Sequence, residues 1–300
     1  MTSISGGWLW HWRALRRRSR WEPTCQQIDA FHRSYGPRSG TLLLLGCSAG
    51  WMLGSAWLQG FERIVAVDFD RLAPFFFRIC HPRVARPLWI HVDALAHLDQ
   101  LLAEFPDACV LFDNMLGQQG LIASDKGRDD AASLQSLEKD LGALKFRLEG
   151  RCWGSLHDCI SGPVRKTFTA FRPAPREKAA KGAKPAAGAM PAVGAMPAVG
   201  AMPALDAMPA AGAMPALASE GPLGSKVLFA RMGDFGAAEP YGEWLDHLSA
   251  SIFPPTLARN YLLWPFSASY WHWLEIAWVG VDSPSVQIGK IAPTQPSSAF

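Results

Sequence analysis

The stretch that decides the fold is residues 41–70, TLLLLGCSAGWMLGSAWLQGFERIVAVDFD. An apolar run, 42–45, is followed by the turn Gly46-Cys47-Ser48-Ala49-Gly50 and an apolar, helix-compatible segment, 51–59; a second apolar run ends on Asp68. Glycine lets a backbone turn tightly and approach a ligand, and the start of a helix offers N–H groups to polar ligand atoms. This order predicts the nucleoside-binding half of an α/β sheet, in which Asp68 accepts hydrogen bonds from ribose hydroxyls.

Two other interpretations of this stretch are less favoured. Residues 39–61 carry no charged side chain and are almost long enough to cross a bilayer, but five glycines interrupt them. The spacing G-x-x-x-G-x-x-x-G also differs from the dinucleotide fingerprint G-x-G-x-x-G, because Ser48 stands where the middle glycine belongs. We therefore expect no membrane span, and an NAD(P)-dependent oxidoreductase is the less favoured kind of enzyme.

Composition sets only broad limits on function. The 300 residues suffice for one large domain or two small ones, and a hydrophobic content of 49% is enough for a sizeable core. A net charge of +3 is too small to imply a nucleic-acid partner by itself. None of the six cysteines forms a C-x-x-C pair, which indicates buried thiols in a reducing cytoplasm and not a zinc site or a disulfide framework.

The N-terminal segment, residues 1–35, combines basic and aromatic side chains and ends in a predicted helix, 26–35. Its first part contains Trp8, Trp10, Trp12, Trp21, Arg13, Arg16, Arg17, Arg18 and Arg20. Such a mixture can hold single-stranded nucleic acid or an anionic membrane surface. The favoured interpretation is a loose or edge-packed basic arm. We do not expect it to be a signal peptide, because the arginines follow the apolar residues.

Strands and helices are predicted to alternate beyond Asp68. The predicted helices are 71–79, 95–105 and a leucine-rich one capped by Asp129 or Asp130, and the predicted strands are 88–92, 108–112 and 151–160. The third strand leads into Asp93-Ala94 and the fourth into Asp113-Asn114. Three successive strands therefore end on a carboxylate, Asp68, Asp93 or Asp113, at the edge where open α/β sheets bind ligands.

The order LLLLGCSAG, IVAVDFD, HVDAL and VLFDNMLG resembles motifs I to IV of class I S-adenosylmethionine-dependent methyltransferases, over about residues 36–160. The resemblance implies a Rossmann-like, doubly wound, mostly parallel seven-stranded sheet with an antiparallel last strand, in three α/β/α layers. It also implies S-adenosylmethionine as cofactor. The turn Gly46, Cys47, Ser48, Ala49 and Gly50 would lie against the methionine part of the cofactor, and Asp68 would hold the ribose. Phe69, Asp93 and Ala94 would surround the adenine. Asp113 and Asn114 would lie at the methyl-transfer end. The sequence departs from the family pattern at Leu44, where an acid is common, and at Ser48.

Low complexity interrupts the second half of the chain. Residues 173–225 contain a six-residue repeat built on Ala-Met-Pro-Ala, and its prolines and glycines predict a disordered insertion. The core domain is predicted over 36–172, and its C-terminal part over 226–280, followed by a loose tail, 281–300. Strands are predicted at 166–171, 227–231, 260–264 and 271–279, and a helix at 241–252.

Methyl transfer needs an acceptor held in line with the sulfonium and, for some acceptors, a base. His157 and Asp158 at the end of the fifth strand, together with Asp113, form the best catalytic set. No histidine cluster has the sequence spacing of metal ligands. The leading hypothesis is a methyltransferase that acts on a small molecule or a protein. Leu44, Ser48 and the insertion motivate the alternative, a degenerate methyltransferase fold that serves as a binding or scaffold protein.

Overall fold

The computed structural model of the protein describes residues 7–125, 127–128, 130–166, 217–232 and 238–281. The strands in these ranges are β1 (Thr41–Leu45), β2 (Arg63–Val67), β3 (Leu88–Ile90), β4 (Cys109–Asp113), β5 (Trp153–Lys166), β6 (Leu217–Ser219), β7 (Ala238–Pro240), β8 (Leu245–Asp246), β9 (Arg259–Trp264) and β10 (Tyr270–Val279). The helices are α1 (Gly7–Tyr35), α2 (Ser55–Leu58), α3 (Ala73–Cys80), α4 (Leu98–Glu104), α5 (Gln119–Asp125), α6 (Ala131–Arg147) and α7 (Ser225–Met232), with a short 3-10 helix, Leu116–Gln118.

The strands form one mixed sheet in the order β3-β2-β1-β4-β5-β10-β9-β6. Strands β3 to β5 of this path are parallel, and β10 is antiparallel to both β5 and β9. The predicted α/β class is therefore confirmed. The described part of the chain places ten strands in the sheet instead of seven, because the 14-residue β5 also pairs with β7 and β8, and β6 extends the edge at β9.

Strand β1 is buried on both faces. Leu42 and Leu44 belong to a core cluster that also contains side chains of α1 and α2. Leu43 and Leu45 belong to a second cluster, with side chains of α4 and α6. A strand covered on both faces requires a continuous apolar run, which explains the sequence LLLL at this position.

Helix α1 is 29 residues long, and one of its faces lies in the core. Trp21 is 1% exposed, and its Nε1 donates to the carbonyl oxygen of Phe266 at 3.2 Å. Thr24 Oγ1 donates to the carbonyl oxygen of Leu263 at 3.0 Å, at the end of β9. The prediction of a loose or edge-packed arm is therefore wrong for residues 7–24, and residues 1–6 lie outside the described ranges.

Replacement of Trp21 by alanine is expected to lower the free energy of unfolding by about 3–5 kcal/mol, because it empties a large buried site. Trp8→Ala is the matched control on the same helix, since Trp8 is 59% exposed, and we expect it to change stability by less than about 1 kcal/mol. Urea unfolding followed by circular dichroism measures both. Equal losses for the two variants would contradict the core position of α1.

Three predictions in the second half are corrected. Residues 227–231, predicted as a strand, lie in helix α7, and the predicted helix 241–252 contains β8. Pairing of Asp246 with Ile160 of β5 favours the extended backbone there. The predicted disordered insertion, 173–225, overlaps β6, which pairs with β9. Residues 167–216 and 282–300 lie outside the described ranges, and they include most of that insertion and nearly all of the predicted tail.

Most of the remaining elements agree with the sequence to within a few residues, and the predicted helix 51–59 does not. The first four predicted strands are confirmed, with β3 ending at Ile90. The segment 51–59 is mostly turns and contains only the four-residue α2. Asp130 caps α6 by accepting from the Ser133 N–H, and Asp129 is outside the described residues. Within the described chain, every helix is too short or too polar to cross a bilayer.

Candidate functional site

A cleft lies where β1, β2, β3 and β4 end. It has a cavity volume of about 150 Å³ and is partly open to solvent. Of the predicted cofactor residues, those that line it are Gly46, Cys47, Ser48, Asp68, Phe69, Asp93, Ala94 and Asn114. Asp113 lines it as well. Parallel strands thus bring together residues that are far apart in sequence.

The turn after β1 has a backbone that favours glycine. Gly46 has φ of +67° and Ser48 has φ of +48°. A Cβ on Gly46 would lie 2.6 Å from the Cβ of Met115, so no larger residue fits there. The Gly46 N–H donates to the carbonyl oxygen of Val67 at 2.8 Å, which fixes the turn against β2 at the floor of the cleft.

Asp68 joins this turn to the loop after β2. Its carboxylate accepts from the Ser48 N–H at 2.6 Å and from the Asp70 N–H at 2.8 Å. Burial raises the pKa of Asp68 above its ordinary value, although the two backbone hydrogen bonds act in the opposite direction. Each carboxylate oxygen can accept more than one hydrogen bond, so Asp68 still has the capacity to accept from a ligand hydroxyl.

Asp113 and Asn114 present unpaired oxygens at the end of β4. Burial, and then the negative charge of Asp68, raise the pKa of Asp113 to about 8. At neutral pH most Asp113 side chains are therefore protonated. Oδ1 of each residue is buried and has no hydrogen-bond partner. Buried polar atoms are usually paired, so these two oxygens indicate where a ligand would bind.

Helix α1 closes one side of the cleft with Trp10 and Trp21. Asp70 holds the beginning of this helix, since its Oδ2 accepts from the Gly7 N–H at 2.6 Å and lies 3.0 Å from His11 Nε2. A carboxylate is favourable at a helix N-terminus. Sequence analysis missed this wall. The signal was the seven-residue spacing of the buried Ala14, Trp21 and Ile28, which is typical of one helix face.

The predicted catalytic set is divided in the structure. His157 and Asp158 are buried inside β5 and do not line the cleft, whereas Asp113 does. His157 Nδ1 contacts Ser155 Oγ at 2.8 Å, and its Nε2 contacts Glu275 Oε2 at 3.2 Å. The prediction that they lie near the end of the fifth strand is wrong, because β5 continues to Lys166.

Ala49 and Gly50, the last two residues of the glycine turn, lie behind the cleft. Ala49 is buried, and the carbonyl oxygen of Gly50 accepts from His81 Nε2 at 2.9 Å. His81 Nδ1 in turn contacts Ser55 Oγ at 2.8 Å. These two predicted cofactor residues therefore shape the turn from its far side.

The charge of the cleft is one-sided. Asp68 and Asp93 contribute negative charge, Asp113 is mostly protonated at neutral pH, and no lysine, arginine or histidine lines the cleft among the residues that the structure describes. Aromatic side chains of Trp10, Trp51 and other residues make up much of the remaining wall. Such a site attracts cationic or neutral ligands with flat rings and repels phosphate groups.

The sequence was also compared with known proteins. No protein-family model matches the chain, and no curated protein matches it significantly. The function must therefore be inferred from the chain's own residues and their arrangement.

Proposed function

We propose that the protein is an S-adenosylmethionine-dependent methyltransferase and that the cleft holds this cofactor. The strand order β3-β2-β1-β4-β5-β10-β9, with its reversed β10, supports the Rossmann-like, seven-stranded arrangement that the sequence resemblance implies. The two core clusters on opposite faces of β1 support three layers. Strands β6, β7 and β8 are additions to this arrangement.

The charge of the cleft is the observation that carries the proposal. S-adenosylmethionine has a positively charged sulfonium and no phosphate, whereas NAD(P) carries a pyrophosphate. A cleft whose negative charge comes from Asp68 and Asp93, with no basic side chain among its described lining residues, favours the first ligand and disfavours the second. The NAD(P)-dependent oxidoreductase is therefore the weaker hypothesis.

Each residue of the cleft then has a role that follows from its position. Asp68 accepts from the ribose hydroxyls, while Phe69, Asp93 and Ala94 surround the adenine. The bound cofactor supplies an electrophilic methyl group, which the acceptor's nucleophilic atom approaches in line. Asp113 lies at the methyl-transfer end. Its ionised carboxylate takes the proton that the methyl acceptor loses, and a pKa of about 8 for Asp113 suits a base that works near neutral pH.

Calorimetric titration of the full chain with S-adenosylhomocysteine tests the proposal. We expect binding that Asp68→Ala weakens about 10- to 100-fold, since a charged hydrogen bond contributes roughly 1.5–3 kcal/mol. Asp140→Ala, an exposed carboxylate on α6, is the control and is expected to bind normally. Folded protein that does not bind the ligand, or that binds NADH more tightly, would contradict the proposal.

One observation favours a scaffold protein as the second candidate. Only Asp113 of the predicted catalytic set lines the cleft, and His157 and Asp158 do not. A protein that binds S-adenosylhomocysteine but transfers no methyl group to small-molecule or protein acceptors would fit that alternative. In either case the six free thiols favour a reducing compartment such as the cytoplasm.

A further inference from the structure

We propose that Asp158, His247 and His272 bind a zinc ion. They lie in β5, directly after β8 and in β10, respectively, and one potential ligand atom of each lies within 4.8 Å of the other two. Asp158 is 3% exposed and His247 1%, and the His272 side chain is 12% exposed. The site is independent of the proposed function.

The first support is that the cluster has unpaired polar atoms. Asp158 Oδ1 and His272 Nδ1 form a close contact at 3.1 Å, and neither atom has a hydrogen-bond partner elsewhere among the described residues. Both atoms would be ligands of the same ion, because ligands bonded at ~2.0–2.2 Å to one tetrahedral zinc ion lie roughly 3.3–3.6 Å apart, close to the separation found here. A bound cation would also stabilise the buried carboxylate.

The second support is the hydrogen bonding of the two ring nitrogens of His247. Its Nδ1 donates to the carbonyl oxygen of Gly117 at 2.5 Å, so Nε2 carries a lone pair. Metal-binding histidines usually donate the other ring N–H to a carbonyl or carboxylate in this way. Ser161 Oγ lies 2.8 Å from Nε2. We assign Nε2 as the ligand atom, and its contact with this hydroxyl would be replaced by the bond to the ion.

A β-bulge positions the carboxylate. In the pairing of β10 with β5, Trp273 lies opposite Ile160 and Leu274 lies opposite Asp158, so Cys159 is an extra residue. A bulge redirects neighbouring side chains, and bulges are frequent beside functional sites. This one brings Asp158 to the same side of the sheet as His272.

The donor set favours zinc. Two imidazoles and one carboxylate are the three protein ligands of many zinc sites that keep a fourth position open. His157, Cys159 and Glu275 form another cluster of potential ligands, but Arg259 already forms a buried ion pair with Glu275. That cluster has its countercharge and does not need an ion.

The proposed ion would lie directly behind the wall of the cleft. The rings of His272 and Trp264 are 4.9 Å apart between centroids, and Trp264 lines the cleft. Gly117, which accepts from His247, directly precedes Gln118, another lining residue. Zinc would therefore fix two parts of this wall.

Calorimetric titration of the chelator-treated full chain with zinc chloride tests the proposal. We expect one zinc ion per chain, and at least 10-fold weaker binding after Asp158→Asn, His247→Gln or His272→Gln, the usual scale for a lost ligand or its support. His97→Gln, on an exposed histidine, and Cys159→Ser are expected to bind zinc normally. Absence of zinc binding by the folded wild type, or normal binding by the three ligand variants, would overturn the proposal.

A second measurement on the wild type does not depend on the folding of any variant. Cobalt(II) is the probe, and its visible spectrum reports the coordination geometry and the kind of ligand atom. We expect the spectrum of a nitrogen and oxygen site, without thiolate-to-cobalt charge-transfer absorption. Such absorption would place the ion at Cys159 and refute the assignment.

Discussion

Replacement of Arg259 by alanine is expected to lower the free energy of unfolding by about 3–5 kcal/mol, the usual cost of breaking a buried ion pair. Arg259 is 2% exposed and Glu275 1%, and the guanidinium donates from Nη1 to Glu275 Oε1. It also donates to the carbonyl oxygen of Pro254 at 2.7 Å. The variant therefore leaves a buried carboxylate and a partly buried carbonyl short of donors.

Glu275 depends on several donors at once. Tyr261 OH donates to it at 3.1 Å, and His157 Nε2 lies 3.2 Å away. Burial by itself raises the pKa of Glu275, but the hydrogen bonds and charges of His157 and Arg259 outweigh it and hold the pKa below its ordinary value. Without Arg259 the side chain takes up a proton more readily, so the loss of stability is expected to be larger at pH 8 than at pH 5.

Urea unfolding of Arg259→Ala beside Arg147→Ala measures the effect. Arg147 forms an ion pair with Asp99 at 2.8 Å, but the two side chains are 37% and 79% exposed, and such pairs contribute about 0–1 kcal/mol. The double variant Arg259→Met with Glu275→Leu is expected to recover much of the loss, because it removes both charges. An Arg259→Ala loss no larger than that of Arg147→Ala would show that the buried pair does not stabilise the fold.

Asp113→Asn is expected to stabilise the protein at alkaline pH. The pKa of Asp113 is raised from 3.8 to about 8, first by burial and then by the charge of Asp68. The folded state thus holds this proton more tightly than the unfolded state, and stability falls as the pH rises from about 4 to about 8. Asparagine has no proton to lose, so the variant escapes this decline.

The expected gain is several kcal/mol at pH 9, from roughly 1.4 kcal/mol per unit of pKa shift, and little near pH 4. For a chain of this size that raises the Tm by roughly 5 °C or more at pH 9. Thermal unfolding of the wild type, Asp113→Asn and the exposed control Asp140→Asn between pH 5 and pH 9 measures the difference. A constant difference across this range would mean that Asp113 does not titrate with a raised pKa.

The sequence predicted strand β1, the glycine turn after it and the acids that follow the strands, because each depends on a pattern within one short segment. The continuous apolar run of β1 and the glycine residues after it predicted the strand and the turn, because burial on both faces and a positive φ at Gly46 each limit the choice of residue. The acids that follow the strands were predicted to meet, and Asp68, Asp93 and Asp113 all line one cleft.

Distant contacts decided what local sequence could not predict. Residues 241–252 were predicted as a helix, but pairing with β5 holds Leu245–Asp246 in a strand. Asp158, His247 and His272 are brought together only by the pairing of β5 with two later strands. No spacing rule within one segment can find a group of this kind.

The docking of α1 on β9 has a consequence for the order of folding. Arg17 and Trp21 donate to the carbonyl oxygen of Phe266, 249 and 245 residues further along the chain. A ribosome must therefore have made nearly the whole described chain before this helix finds its partner strand. The cost of closing so long a loop grows only slowly with length, but contacts between distant residues slow folding. During synthesis the part of α1 that packs on β9 is therefore exposed until the last strands emerge, which is the stage at which a chaperone would be needed.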